Sequence, residues 1–297
     1  MGEFMNHRHI PEFVDYLRAK KLEARTVTTY GKILFKWRNE YPGDINSATE
    51  DEVLAFLGRI RGTGSWQRVV TIVFKNYYRW LGRPLDNEKV PTPKMRRRQI
   101  LPITADEFVR IRDAAKPTSI KNLLTFLLAT GVRISEALGA RRADFVLDRV
   151  DHGQPRPVMM VRGKGGTIRT VPLTSPGLVS WLNDRLTVSD GPFAGIRYWQ
   201  ARYGFNQAAI RAGVQRVAWE ENGIRGMYAT LHGIRRLVAT RMLEQEIPMD
   251  VIRQFLGHAS VETTQRYAQT SEARMWQHMN IRANQDSLGQ ATGHPAQ

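Results

Sequence analysis

The sequence predicts a mainly α-helical chain in two parts. An all-helical N-terminal unit is followed by a mixed α/β unit, with helices set around a small antiparallel β-sheet. Three observations predict this. Apolar residues recur at helical spacing through most segments, two of which open with a capping-box pattern. Residues 83–103 hold four prolines and interrupt the helical pattern. β-branched runs flank the turn "GKGG", as in a β-hairpin.

Taken in order, residues 11–21 and 25–41 read as the first two helices. Over 47–60, Thr49 precedes Glu52 by three positions, so the hydroxyl and the carboxylate can each take a backbone N–H of the other. The apolar stripe Val53, Leu54, Phe56, Leu57 and Ile60 follows. Residues 65–82 make a fourth helix, stopped by Gly82. The expected divisions are a helical domain over 1–88, a basic linker over 89–103, a second domain over 104–283 and a disordered tail over 284–297. Within the linker, Lys94, Arg96, Arg97 and Arg98 have no acid beside them.

Thr104 and Glu107 repeat the capping box and open a helix over 105–115. The apolar helix 119–131 stops at Gly131, and 133–145 reads as another helix. The hairpin over 157–173 carries Lys164 at its tip. Further helices are expected at 176–187, 204–222, 231–245, 249–256 and 261–270.

Composition narrows the chemistry. With 44 Lys and Arg against 28 Asp and Glu, the formal charge is +16, which favours a polyanionic partner. Cysteine is absent, so disulfides, thiolate zinc sites and cysteine nucleophiles are excluded. The histidines are scattered without a metal-binding pattern, and "VRGKGGT" lacks phosphate-loop spacing. No metal and no cofactor are expected. No apolar run is long enough to span a bilayer, and no signal-peptide stretch opens the chain. No membrane partner is expected, and the composition fits an intracellular protein.

One segment poses a physical question. In "LHGIRRLVATRML", residues 231–243, Leu231, Ile234, Val238 and Met242 form the apolar face of a helix. His232, Arg235 and Arg236 stand at i, i+3 and i+4, so three cationic or near-cationic side chains crowd the edge of that face. Either they are solvated at the helix edge, or an anion that all three approach holds them there. The other chemistry-bearing positions are Arg133 with Glu136 in "TGVRISEAL", Lys164 in "GKGG", and His258 with Tyr267 in "FLGHASVETTQRY".

The order and spacing of "TGVRISEAL", "GKGGTIRTVPL", "LHGIRRLVATRML" and "IRQFLGHASVETTQRY" resemble the tyrosine recombinases, the integrase and Xer-like family of site-specific DNA recombinases. The resemblance spans roughly 104–270 by motif, and the first domain looks like the family's SAM-like core-binding domain. It implies that Arg133 and Arg235 bind the scissile phosphate, that His232, His258 and Lys164 complete the catalytic set, and that Tyr267 is the nucleophile. Glu136 is implied to support Arg133.

Arg236 stands where the family often has a second histidine, and is not expected to be catalytic. The implied partner is double-stranded DNA, gripped by a clamp whose linker cations lie along the phosphates. The implied assembly is a homotetramer on two DNA sites, monomeric or dimeric when free, with room for accessory proteins. The implied role is integration, excision or resolution of DNA through a 3′-phosphotyrosyl intermediate. Two alternatives are a type IB topoisomerase-like relaxing enzyme and a catalytically silent DNA-binding regulator.

Overall fold

The computed structural model describes residues 9–94, 102–151, 153–163 and 168–257. The chain divides into two compact units, 1–99 with 220–225 and 100–219 with 226–297.

The first unit contains α1 (His9–Ala19), α2 (Ala24–Glu40), α3 (Glu50–Arg59) and α4 (Gly64–Trp80). Their apolar stripes meet at Trp37, which is fully buried, with its ring 4.3 Å from Phe74 and 5.6 Å from Phe56. Such ring pairs add about 0.5–1.5 kcal/mol to the burial of apolar area. The buried phenols of α4 are satisfied: Tyr77 donates to Asn46 Oδ1 and Tyr78 to the Ile45 carbonyl, each at 2.6 Å. The capping box read at Thr49 is formed. Thr49 N–H donates to Glu52 Oε2 at 2.8 Å, and Glu52 N–H donates to Thr49 Oγ1 at 3.3 Å.

The second unit opens with α5 (Ala105–Asp113), α6 (Thr118–Thr130) and α7 (Ile134–Gly139). A 3-10 turn at Arg142–Asp144 leads into β1 (Phe145–Val146) and the short pair β2 (Val150–Asp151) and β3 (Gln154–Pro155). The main hairpin is β4 (Val158–Arg162) and β5 (Ile168–Pro172). Then come α8 (Pro176–Thr187), α9 (Tyr198–Arg211), β6 (Val217–Glu221) and β7 (Ile224–Met227), whose residues 220–225 group with the first unit, and finally α10 (Leu231–Glu244) and α11 (Met249–Leu256).

The sheet runs β1-β4-β5, antiparallel throughout, with Phe145 opposite Met159 and Met160 opposite Thr170. Alternation turns Met159, Val161 and Val171 into the core, where they join Leu123, Phe126 and Leu127 of α6. α10 packs on α6 and on α11, and α11 packs on β5. Among the described residues, no helix is long and apolar enough to cross a membrane.

The structure departs from the expected elements in two places. The helix expected over 133–145 ends at Gly139, and the remainder becomes the 3-10 turn and edge strand β1. The helix expected over 204–222 is instead the end of α9 followed by the β6–β7 hairpin. Gly213 turns the chain at φ +67, and Asn222-Gly223 take φ +51 and +73, the conformation a two-residue hairpin turn requires. The turn 164–167, the expected helix 261–270 and the expected tail 284–297 lie outside the described residues.

Gly131 closes α6 at φ +59, a backbone state that disfavours any side chain. An added Cβ would lie 2.8 Å from Leu256 Cδ2 and 3.2 Å from both Phe255 and Val238. Gly131→Ala therefore combines left-handed strain with a clash against α10 and α11. It is expected to lower unfolding free energy by about 1–3 kcal/mol, measured as a fall in the urea midpoint at unchanged slope. An unchanged midpoint would remove the close approach from the account.

Candidate active site

The site is built where α6 and α11 end. Both helices stop on a left-handed glycine, Gly131 at φ +59 and Gly257 at φ +66. Each end leaves backbone carbonyls without a helical partner and presents the negative end of the peptide dipoles.

Arg235, in the second turn of α10, is 2% exposed. Its Nη1 donates to the Gly131 carbonyl at 2.7 Å and its Nη2 donates to the Leu256 carbonyl. One guanidinium fork thus bridges two helix C-termini. This supplies part of what holds cations at the edge of α10: carbonyl dipoles from the end of α6, 104 residues earlier, and from the end of the next helix, α11.

Arg133 is the N-cap of α7, directly after the buried Val132. Glu136, three residues on, accepts the Arg133 backbone N–H at 2.7 Å and Arg133 Nη1 at 2.8 Å. The Arg133 side chain remains 43% exposed while that of Glu136 is 10% exposed. Arg133 Nη2 also donates to the Gly257 carbonyl at 3.4 Å.

Arg169 on β5 approaches the same carboxylate from the other side, with Nη2 2.7 Å from Oε2 and Nη1 3.1 Å from Oε1. Burial alone would raise the Glu136 pKa. Hydrogen bonds from Arg169 and from the backbone and side chain of Arg133, with the charge of Arg169, override it and hold the carboxyl at about 2. Glu136 is therefore ionised throughout the working pH range. Its contribution to stability is present above its ordinary value of 4.5 and is lost as pH falls towards 2.

His232 lies in the first turn of α10. Its pKa is pushed down to about 4, first by withdrawal from water and then by the positive fields of Arg236, Arg235 and Arg133. The residue keeps an exposed edge, which weakens the first cause. The three guanidinium charges act whatever the exposure. At neutral pH the imidazole is uncharged and can accept a proton.

A lowered histidine pKa has a definite sign. Between about 4 and 6.5 the unfolded chain binds a proton that the folded chain refuses, so stability rises as pH climbs through that window. In an NMR titration the His232 ring is expected to titrate near pH 4 in the free protein. It should move upward on adding duplex DNA, since a phosphate anion favours the imidazolium. A value near 6.5 in the free protein would remove the clustered positive field.

The structure thus brings Arg133, Glu136, Arg235 and His232 together. Lys94 is exposed at the end of a described segment of the first unit. Lys164, Arg96, Arg97, Arg98, His258 and Tyr267 lie outside the described residues. Sequence reasoning missed Arg169. Its signal was phase: on β5 it shares the inward face with Val171, and a cation there calls for an acid.

Comparison with known proteins follows the same lines. Residues 102–274 match the phage integrase family. Tyrosine recombinase XerA of Pyrococcus furiosus is 28% identical over 269 residues, covering 88% of this chain and 89% of the relative. The solved lambda integrase (75–356) dimer bound to a COC′ core site shares the fold, with a TM-score of 0.69 at 18% identity, covering 90% of this chain and 96% of that one. A lambda integrase tetramer bound to a Holliday junction matches with a TM-score of 0.68 at 18% identity, covering 88% and 76%.

Proposed function

The chain belongs to the phage integrase family of tyrosine recombinases, and from that premise we propose that it cuts and rejoins duplex DNA site-specifically with Tyr267 as nucleophile. Arg133, whose side chain is 43% exposed, faces the non-bridging oxygens of the scissile phosphate directly; Arg235, 2% exposed and holding the Gly131 and Leu256 carbonyls, is the second guanidinium and reaches the same phosphate through further N–H groups of its fork. Charge builds on those oxygens as phosphorus is attacked, and guanidinium forks stabilise it with paired hydrogen bonds.

A tyrosine hydroxyl, with a pKa of ~10, is scarcely ionised at neutral pH. Neutral His232, with His258, takes its proton as the phenolic oxygen bonds to phosphorus. The bond from phosphorus to the 5′-oxygen breaks, and Lys164 protonates the leaving oxygen. The product is a 3′-phosphotyrosyl ester with a free 5′-hydroxyl. Attack by a 5′-hydroxyl of the partner strand reverses each step and releases Tyr267. One phosphoester replaces another at each stage, so the bond energy is kept for rejoining.

The observation that carries this reading is the cluster itself. An exposed arginine stands with a buried one around a histidine whose proton affinity their charges suppress. Such a concentration of positive potential suits a phosphodiester. In this reading residues 1–88 bind the core of the DNA site, 104–283 carry the chemistry, and Lys94, Arg96, Arg97 and Arg98 neutralise phosphates between them. The working assembly is a tetramer on two DNA sites, in keeping with the lambda integrase tetramer. It acts in the cytoplasm of a prokaryotic cell.

The test is a suicide substrate. Nicked duplexes drawn from the protein's own genomic context are incubated with it, in EDTA and without ATP. A protein–DNA adduct that survives SDS is expected. Tight binding with no adduct across a panel of sites would leave a DNA-binding regulator.

A further inference from the structure

Three consecutive carbonyls at the end of α11 are taken by three arginines from three separate elements. Arg169 of β5 holds Phe255 through Nε at 3.2 Å. Arg235 of α10 holds Leu256, and Arg133 at the start of α7 holds Gly257. Two of these arginines, Arg133 and Arg169, also share Glu136, whose carboxylate receives two hydrogen bonds from each.

We infer that Arg169 is a positioning residue for strand cleavage, setting the orientation of Arg133 through Glu136 while fixing the last turn of α11. The inference rests on the recombinase reading above. Arg169 does not itself face the substrate: its side chain is 10% exposed, and each of its three nitrogens is committed to Glu136 or Phe255. Its effect passes through what it holds. Without it, Glu136 keeps only the bonds from Arg133, its carboxylate is free to turn, and Arg133 turns with it.

The backbone is shaped around this side chain. A Cβ on Gly257 would lie 2.7 Å from Arg169 Cδ and 2.9 Å from Nε. The glycine thus serves both the left-handed turn and the passage of the arginine. Lysine cannot replace it: one ammonium on a flexible stem does not span a carboxylate and a carbonyl on opposite sides of a planar fork.

An ion pair that served stability alone would leave the chemistry of the folded protein untouched, and a double-mutant cycle separates the two roles. R169Q, R169K, E136Q and R169Q/E136Q are compared in single-turnover cleavage of the nicked duplex, in DNA affinity and in urea unfolding. R169Q and R169K are expected to bind DNA as the wild type does and to cleave about 100-fold more slowly, the cost of a small misplacement at a reacting centre. The double variant should cleave no more slowly than E136Q.

Cleavage at the wild-type rate by folded R169K would overturn the inference, as would a double variant slowed by the product of the two single losses. If R169Q does not fold, R169K and E136Q give the same comparison. A wild-type protein that forms no adduct on any duplex is a separate outcome. It removes the recombinase reading, and this inference with it, before any variant is made.

Discussion

Tyr267→Phe is expected to bind its DNA site with wild-type affinity and to form no SDS-stable adduct. The change removes one oxygen and nothing of the ring, so packing and charge stay as they were. In the proposed reaction the phenolic oxygen is the atom that joins phosphorus, and phenylalanine has no atom to take its place. Losing the nucleophile of a covalent mechanism costs on the order of a millionfold in rate, which takes the adduct below detection on a denaturing gel. An adduct that persists in Tyr267→Phe would move the nucleophile elsewhere in the chain. Weakened binding without loss of the adduct would make Tyr267 a DNA contact.

Arg235→Lys should show the second-largest effect, and should show it twice. The guanidinium reaches the Gly131 and Leu256 carbonyls together. An ammonium reaches one of them and leaves the other buried without a donor. That costs about 1–3 kcal/mol of unfolding free energy, read as a lower urea midpoint. Cleavage should fall by about 10²–10³, the usual loss when a donor to a developing oxyanion is removed. Charge is conserved, so DNA affinity is expected to hold. An unchanged midpoint would sink the role in joining α6 to α11, and an unchanged cleavage rate would sink the role at the phosphate.

What the sequence disclosed about this fold was what local chemistry decides. Thr49 with Glu52 and Thr104 with Glu107 are three residues apart, and both capping boxes form as read. The strands β4 and β5 were legible because β-branched runs flank the glycine-rich segment, and they pair in antiparallel register; the turn between them lies outside the described residues. The second hairpin carries an equally local mark, Asn222-Gly223 between "VAWEE" and "IRGM", where helical spacing over 204–222 predicts a long helix instead.

The site divides in the same way. Arg133 and Glu136 meet across three residues of one helix start. The partners of Arg235 and Arg169 include backbone carbonyls of Gly131, Leu256 and Phe255. A carbonyl has no residue identity, so no pattern of letters marks it as an acceptor for a side chain 21, 86 or 104 positions away. For Arg169 the pattern offered only its phase on β5.

The means used to hold Arg235 bears on how the protein meets DNA at a distance. A carboxylate placed beside it would cancel its charge at every range. A helix end carries no net charge: its field is that of a dipole, strong at hydrogen-bonding distance and dying away faster than that of a monopole. The carbonyls of Gly131 and Leu256 therefore steady the guanidinium where it is buried, and neither of them subtracts from the net charge that an approaching polyanion meets. Glu136 does cancel one charge, but it serves two arginines, so that pair also keeps a unit in surplus. The protein thus packs its cations tightly without muting the long-range pull by which a duplex is first drawn in.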